Sequence, residues 1–423
     1  MFEENFKETL KTIFSKLGAG EISVSTDTRT IKSGDIFVAI KGEKFDGHDF
    51  VATAIEKGAA YCVVREGFGF NVKEVDVGKL IHVKDTVQAL QEMAREYRVW
   101  LDQERAVQGS TKLEVIGISG CNGKTTTKNF LATVLSRKFN SDAEGIVRGT
   151  NIEGSKKVAY TKGNLNNFIG LPLTILSLNF NHDFAVIELG SNHPGEIALL
   201  CDIAKPTHGI TTSIGAAHIE FFKTLDAIAD EESAIASVLP RNGLYVVPKQ
   251  DQYSEYLLSK TSAQRIAVDA KHVECLDVDF LNIESKLNEI GICAPHIVAD
   301  ALLVAVMAHK FGLNSEEILK GLKETKNDKG RFGISEANVA HGSEEVRVTI
   351  IDDTYNGNPD SVIAAIKAMK ELFPNQRKFV ALGCLKELGE YTHRGYERIV
   401  ETCGELEIFN LILINKLYFL III

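Results

Sequence analysis

Short apolar runs alternate along the chain with stretches whose apolar residues recur every three or four positions. "DIFVAI" (35–40) and "AYCVV" (60–64) read as strands and residues 84–100 as a helix, with the polar, turn-rich "KGEKFDGHDF" between the strands. From residue 113 the rhythm changes. "LEVIGI", "FAVIEL" (184–189), "HGITTSI" and "LYVV" (244–247) are nearly continuous apolar runs separated by helical patterns, as expected of a parallel sheet buried on both faces. A third stretch begins near 313, where "EEVRVTIIDD" (344–353), the helix "SVIAAIKAMKEL" and "RKFVALG" (377–383) predict a second α/β sheet. Residues 140–160 read as a long loop or small hairpin.

Two ends need separate readings. "MFEENFKETLKTIF" mixes acids and lysines in an amphipathic pattern and predicts a first helix, without the apolar core of a signal peptide. "LEIFNLILINKLYFLIII" (406–423) is almost wholly apolar, but Glu407, Asn410, Asn415 and Lys416 interrupt it short of the ~20 residues of a membrane span. A tail anchor is one reading; one buried strand, Leu411–Ile414, before a truncated or altered terminus is the expectation here, with no stable membrane insertion.

At 423 residues the chain exceeds one ordinary core and suggests three domains, 1–110, 111–312 and 313–423. With 44% apolar and 25% charged residues it has the composition of a soluble globular protein. Its net charge of −10 argues against nucleic acid as a partner, so an anionic ligand must be met by a local site. Seven cysteines without a C-x-x-C pair suggest neither a zinc ribbon nor a disulfide framework and fit a reducing cytoplasm. A monomer is expected.

The chemistry concentrates in "GISGCNGKTTTKNFL" (117–131), where a strand hands over to a helix. Gly120 and Gly123 let backbone N–H groups turn inward around Cys121 and Asn122. Lys124 adds a full charge at the helix start, Thr125 offers a hydroxyl to Mg2+, and Thr126 continues the turn. Such a loop holds the β and γ phosphates of a nucleotide, although Ile118 stands where the full G-x4-G-K-[ST] pattern has its first glycine. Glu188 ends a strand at the carboxyl edge of the expected sheet, and His218 follows another strand. Each alone fits a cap or a structural role; with the loop they become candidate ligands for one or two Mg2+.

These pieces resemble the Mur ligase family over nearly the whole chain. The resemblance is carried by "STDTRTIKSGDIFVAIKGEKFDGHDF", "GISGCNGKTTTK", "GNLNNFIGLPLTIL", "AVIELGSNHPGEI", "IGAAHIEFF", "KGRFG", "IDDTYNGNPDS" and "ALGCLKELGE", in that order. It implies an α/β fold of three domains: a central P-loop ATPase-like, mostly parallel sheet, a small α/β N-terminal domain that binds the UDP-muramoyl substrate, and a Rossmann-like C-terminal ligase domain, here apparently truncated. It also implies ATP and Mg2+, and the joining of D-alanyl-D-alanine to UDP-N-acetylmuramoyl-tripeptide through an acyl phosphate. "GNLNNFIGLP" and "DDTYNGNP" favour that acceptor over those of sibling ligases.

By the same resemblance, Lys124, Glu188 and His218 would be catalytic; Gly120, Asn122, Gly123, Lys124, Thr125, Thr126, Arg331 and Asp353 would bind the nucleotide; and Thr125, Glu188 and His218 would hold metal. Thr28, Arg29, Gly47 and His48 would line the uridine-nucleotide pocket, Asn164, Asn166 and Asn167 would meet the muramoyl peptide, and Tyr355 and Asn356 the incoming dipeptide. Turn chemistry alone is the alternative for the polar loop residues.

The chain also departs from the family pattern. Where relatives carry a lysine fourteen residues after the histidine, this chain has Glu232, which could present its own carboxylate to Mg2+ or lie on a solvated helix face. Ile297 and Asp300 replace usual asparagines, one of them near the adenine, and Cys384 replaces a usual aspartate. A related ligase with a different acceptor, or a catalytically weakened nucleotide- or precursor-binding protein, stays open as an alternative.

Overall fold

The structure, a computed structural model, describes residues 6–69, 77–137, 158–276, 280–326, 328–341, 344–414 and 420–422. The chain divides into two compact units. One comprises Met1–Gly117, Glu153–Leu189 and Ala198–Thr207, and the other Ile118–Ile152, Gly190–Ile197 and His208–Ile423.

In the first unit, β1 (Val24–Ser25), β2 (Ile36–Val38), β3 (Tyr61–Arg65) and β4 (Leu80–Val83) form an all-parallel sheet in that order. Phe37, Ala39, Cys62 and Val64 from it bury with Val51 and Ala54 into one apolar cluster. The helix Thr86–Val107 begins where Asp85 accepts from the amides of Val87 and Gln88, both at 2.8 Å. It runs seven residues past the expected end. Leu101 and Arg105 keep the buried stripe going, and the Arg105 guanidinium, itself buried, donates to the carbonyls of His182 at 2.8 Å and Thr111 at 2.8 Å. A charged residue therefore does core work there, which an apolar pattern does not register. The strand β5 (Glu114–Ser119) leads out of this unit along the chain, and β6 (Val158–Tyr160) pairs in parallel with β7 (Phe184–Glu188). The expected loop or small hairpin at 140–160 lies outside the described residues except for its last three, which form β6.

In the second unit, β8 (His208–Thr211), β9 (Leu244–Pro248) and β10 (Gln264–Val268) run parallel, with Ile210 opposite Val246 and Val246 opposite Ile266. The helix Leu225–Val238 is capped by Thr224 and turns Ile228, Glu231, Glu232 and Ile235 inward at helical spacing. A further sheet has the order β11 (Gly333–His341), β12 (Glu344–Asp352), β15 (Leu420–Ile422), β13 (Phe379–Leu382), β14 (Leu411–Leu413). Its pairings are antiparallel except β13 with β14. The helix Pro359–Leu372 opens with an Asn358 capping box and Pro at its first position, and its Val362, Ala365, Ile366 and Met369 pack with Ile351, Val380 and Leu382.

The expectation of a buried strand at 411–414 is corrected in one respect. The strand forms, but as the outer strand of its sheet, with Ile412 and Leu413 at 51% and 65% exposure. An edge strand has a neighbour on one side only, so apolar composition does not guarantee cover. Among the described residues no helix is long and apolar enough to cross a membrane.

Candidate active site

β5 ends at Ser119, the backbone turns through Gly120 at φ 118° and Gly123 at φ 85°, and the helix Lys124–Arg137 begins. Both glycines are required by more than conformation. A Cβ on Gly120 would meet the Thr212 amide nitrogen at 2.8 Å, and one on Gly123 would meet the Asp300 carboxylate. The loop is held by distant residues: Cys121 N–H donates to the Ser213 carbonyl at 2.8 Å, Asn122 N–H to Ser213 Oγ at 3.1 Å, and Thr212 N–H to the Ser119 carbonyl at 3.0 Å.

The polar groups of the loop find partners both within it and on distant segments. The Lys124 ammonium folds back to donate to the carbonyl of Gly120 and, at 3.4 Å, to that of Cys121. The Gly120 amide donates to Glu232 Oε2 at 2.6 Å. Glu232 is thus neither solvated nor on an exposed face; it is buried, and its carboxyl is held above the usual carboxylate range by burial, against the pull of Lys124 and the Gly120 amide. Asp300, also buried and facing Gly123, is pushed well up by its burial. Burial, with the Glu232 charge adding to it, raises the Cys121 thiol to about 12, so this cysteine is inert.

Residues far along the chain converge on this loop. Arg331 Nη2 reaches Thr125 Oγ1 at 3.4 Å, and its guanidinium carbon lies 4.1 Å from the Tyr355 ring centre. Among the described residues its Nε is buried with no hydrogen-bond acceptor. Asp353 accepts from the Phe332 amide at 3.1 Å, and burial raises its carboxyl to about 6, opposed by that amide and by Arg331. Asn358 Nδ2 donates to Asn122 Oδ1 at 2.9 Å, and Asp360 accepts from the Ala216 amide at 2.6 Å while pairing with Arg398 at 2.8 Å. Thr126 lies in the first helical turn, half-buried, and Asn356 is exposed beside Tyr355. The His218 ring bonds Glu387 through Nδ1.

The first unit holds the remaining candidates. Asn166 Nδ2 donates to Glu188 Oε1 at 2.8 Å, and the Glu188 amide donates to Thr161 Oγ1 at 2.9 Å, so these two are brought together. Asn167 Oδ1 accepts from the amides of Ile169 and Gly170 at 3.1 and 2.9 Å, a local turn just ahead of the helix Gly170–Leu176, while Asn164 is exposed. The Arg29 side chain, 88% exposed, pairs with Asp27 at 2.7 Å. Thr28 gives its carbonyl to Lys57 Nζ at 2.7 Å. Gly47 N–H donates to the Ile40 carbonyl at 2.9 Å. His48 is buried with both ring nitrogens in use, Nδ1 to Asp46 at 2.6 Å and Nε2 accepting from the Arg65 amide at 3.0 Å.

Sequence reading missed Asn358, Asp360, Glu387 and His296 as members of this region. His296 is packed edge-on to Phe332 with ring centres 5.0 Å apart, and burial lowers it to about 4, so it is neutral. "NPDS" carries a visible helix-cap signature, but nothing local says which loop the cap faces.

Among the described residues, no three His, Cys, Asp or Glu side chains gather closely enough to hold an ion on their own. Thr125 and His218 in the second unit offer a hydroxyl and the ring nitrogen left over by Glu387, and Glu188 in the first unit offers a carboxylate; each is a donor type that suits Mg2+.

Comparison with known proteins agrees over most of the chain. Three family profiles match: Mur ligase family, catalytic domain, at residues 23–98; Mur ligase middle domain at 118–292; and Mur ligase, glutamate ligase domain, at 338–415. The UDP-N-acetylmuramoyl-tripeptide–D-alanyl-D-alanine ligase of Escherichia coli K12 is 30% identical over 411 residues, covering 93% of this chain and 81% of that protein. Its Bacillus subtilis 168 counterpart is 31% identical over 376 residues, covering 87% and 74%. The crystal structure of MurF from Acinetobacter baumannii superposes with a TM-score of 0.71 at 25% identity, over 96% of this chain and 85% of that one. MurF ligase from Thermotoga maritima, solved in complex with ADP, shares the fold with a TM-score of 0.66 at 23% identity over 94% and 88%. The phosphate loop, the segments gathered on it and this likeness along the whole chain agree: the chain belongs to the Mur ligase family.

Proposed function

We propose that this protein is an ATP-dependent, ADP-forming ligase that joins D-alanyl-D-alanine to the terminal carboxylate of UDP-N-acetylmuramoyl-tripeptide in peptidoglycan precursor synthesis. A carboxylate oxygen of the tripeptide attacks the γ-phosphorus of ATP, the bond from that phosphorus to the bridging oxygen breaks, and ADP leaves. The dipeptide amine then attacks the acyl phosphate, phosphate departs, and the amine loses a proton as the amide forms. Both steps demand alignment of two anions and neutralisation of their charge.

The residue roles are those that the family resemblance implies. Gly120, Asn122, Gly123, Lys124, Thr125 and Thr126 grip the triphosphate, while Arg331 and Asp353 meet the nucleotide from the third domain. Tyr355 and Asn356 meet the dipeptide. Thr28, Arg29, Gly47 and His48 belong to the uridine-nucleotide pocket; Asn164, Asn166 and Asn167 belong to the muramoyl-peptide contacts. Mg2+, when bound, would neutralise phosphate charge; by the family resemblance Thr125 and Glu188 would serve one ion and His218 a second. Glu232, bonded to the Gly120 amide, helps to shape the loop. The three domains are 1–110, 111–312 and 313–423, in a cytoplasmic monomer.

The observation that carries this reading is the approach of Arg331 to Thr125, with an unsatisfied Nε, over a glycine loop that already presents Lys124. Mass spectrometry of the product from UDP-N-acetylmuramoyl-tripeptide, ATP and D-alanyl-D-alanine tests it: the amide-linked pentapeptide precursor is expected, and no ligation product at any Mg2+ concentration would refute it.

One observation favours a second reading, a nucleotide- or precursor-binding protein with weak turnover. Two buried carboxylates, Glu232 and Asp300, face a loop meant for phosphates. In that case ADP stabilises the fold thermally without phosphate release in the presence of both substrates, and Glu232→Gln tightens ADP binding.

A further inference from the structure

The segment Cys384–Tyr391 is moulded onto residues 214–228. Leu388 joins Ala216, Ile219, Phe222 and Ile228 in one buried apolar cluster. The Glu387 carbonyl accepts from the Glu220 amide at 3.1 Å, and Gly389 lies so close to Glu220 that a Cβ would come within 2.9 Å of its side chain. At the centre of this fit, a carboxylate oxygen of Glu387 bonds His218 Nδ1. Both partners have left-handed backbone, φ 54° at His218 and φ 60° at Glu387, a conformation that non-glycine residues keep only where their surroundings impose it. The apolar cluster and the flanking backbone bond provide that imposition.

A carboxylate can only accept, so the proton in this bond belongs to Nδ1. In the neutral imidazole, Nε2 is then a bare lone pair, able to ligate a cation and unable to donate to a phosphate oxygen. We propose that Glu387 is a positioning residue for the ligation reaction: it fixes the tautomer and direction of the His218 ring so that Nε2 can bind the divalent cation that accompanies the nucleotide. Carboxylates that orient a ligating histidine in this way commonly alter metal affinity by about 10- to 100-fold. The inference rests on His218 being a cation ligand, and it adds that a residue 169 positions downstream makes it a competent one. Seating of the 384–391 segment and cation binding thereby become one linked event.

The test uses the full chain with ADP and Mn2+, a divalent probe that pulsed EPR can read for directly bound imidazole nitrogen. The parent is expected to show that nitrogen coupling. Glu387→Ala should weaken Mn2+ binding about 10-fold or more and lose or reduce the coupling, whereas Glu387→Gln, whose amide oxygen still accepts from Nδ1–H, should keep most of both. Should Glu387→Ala not fold, nitrogen-15 spectra of the ligand-free parent decide: His218 protonated on Nδ1 supports the inference, and protonation on Nε2 alone overturns it. If Glu387→Ala folds and retains parental coupling and Mn2+ affinity, Glu387 has no positioning role while His218 remains a ligand. If the parent lacks the coupling altogether, both the inference and the role of His218 fall.

Discussion

The loops around Thr28 and His48 differ sharply from the loop at 120–126 in where their polar groups find partners. In the first unit, Arg29 pairs with Asp27, Ser25 Oγ with Thr30 Oγ1 at 2.8 Å, and His48 Nδ1 with Asp46 at 2.6 Å, all within five residues. In the second, Gly120 bonds Glu232, Asn122 bonds Asn358, and Thr125 meets Arg331, at sequence separations of 112, 236 and 206. These turns also draw on Lys57 and Arg65, 29 and 17 residues away, but their side-chain ion pairs are local and can form without a ligand. A loop held open by distant segments exists only when the whole unit is folded, and its geometry can then respond to what those segments do.

Lys124→Ala makes the hardest test of that contrast. Among the described residues the ammonium's hydrogen bonds go to its own loop's carbonyls, so the variant should fold with a near-parental melting temperature yet lose on the order of 10³-fold or more in ATP-dependent phosphate release. Near-parental turnover would mean that the loop is another structural turn.

Asp353 gives an effect readable as stability. Burial raises its carboxyl to about 6, so between about pH 4 and pH 6 the folded chain retains a proton that the unfolded chain has released. The parent should therefore lose stability relative to Asp353→Asn as pH rises through that window, by on the order of 3 kcal/mol, and the deficit should persist above it. Urea midpoints at pH 4 and pH 7 check this; a pH-independent difference would show that the carboxyl is solvated.

Asn358→Ala removes both a helix cap and the bond to Asn122, and should cost about 1 kcal/mol in chemical denaturation. The apparent KM for ATP should rise with it, because the lost cap also faces the phosphate loop. Arg29→Ala should show the smallest structural effect, with an unchanged melting curve, since an exposed pair is largely screened. A raised KM for the UDP-linked substrate at constant kcat would be its only signature. If Arg29→Ala instead unfolds the chain, the division into local and distant partners fails.

Much of this was legible in order and type. The strands at 36–38, 61–65, 184–188, 244–248 and 379–382 fall where apolar runs predicted them, and the glycine loop lies between a strand and a helix as its residues require. The helix ending at Val107 was underestimated because Arg105 is buried through backbone carbonyls, and the 411–413 strand was placed too deep because composition does not reveal an edge. Glu232 read as ligand or surface with equal ease; its bond to Gly120 appears only when the helix 225–238 is laid beside the loop.

The sequence by itself determined the periodicities, the caps at Asp85, Thr224 and Asn358, and the phosphate loop with its lysine, because each depends on residues within a few positions of one another. Only the tertiary structure decided that two carboxylates turn toward that loop, that Arg331 reaches Thr125, and that Glu387 takes one nitrogen of His218. The physical reason is range. Hydrogen bonds and charge interactions act over a few ångströms, and chain separation does not say which groups folding will bring that close.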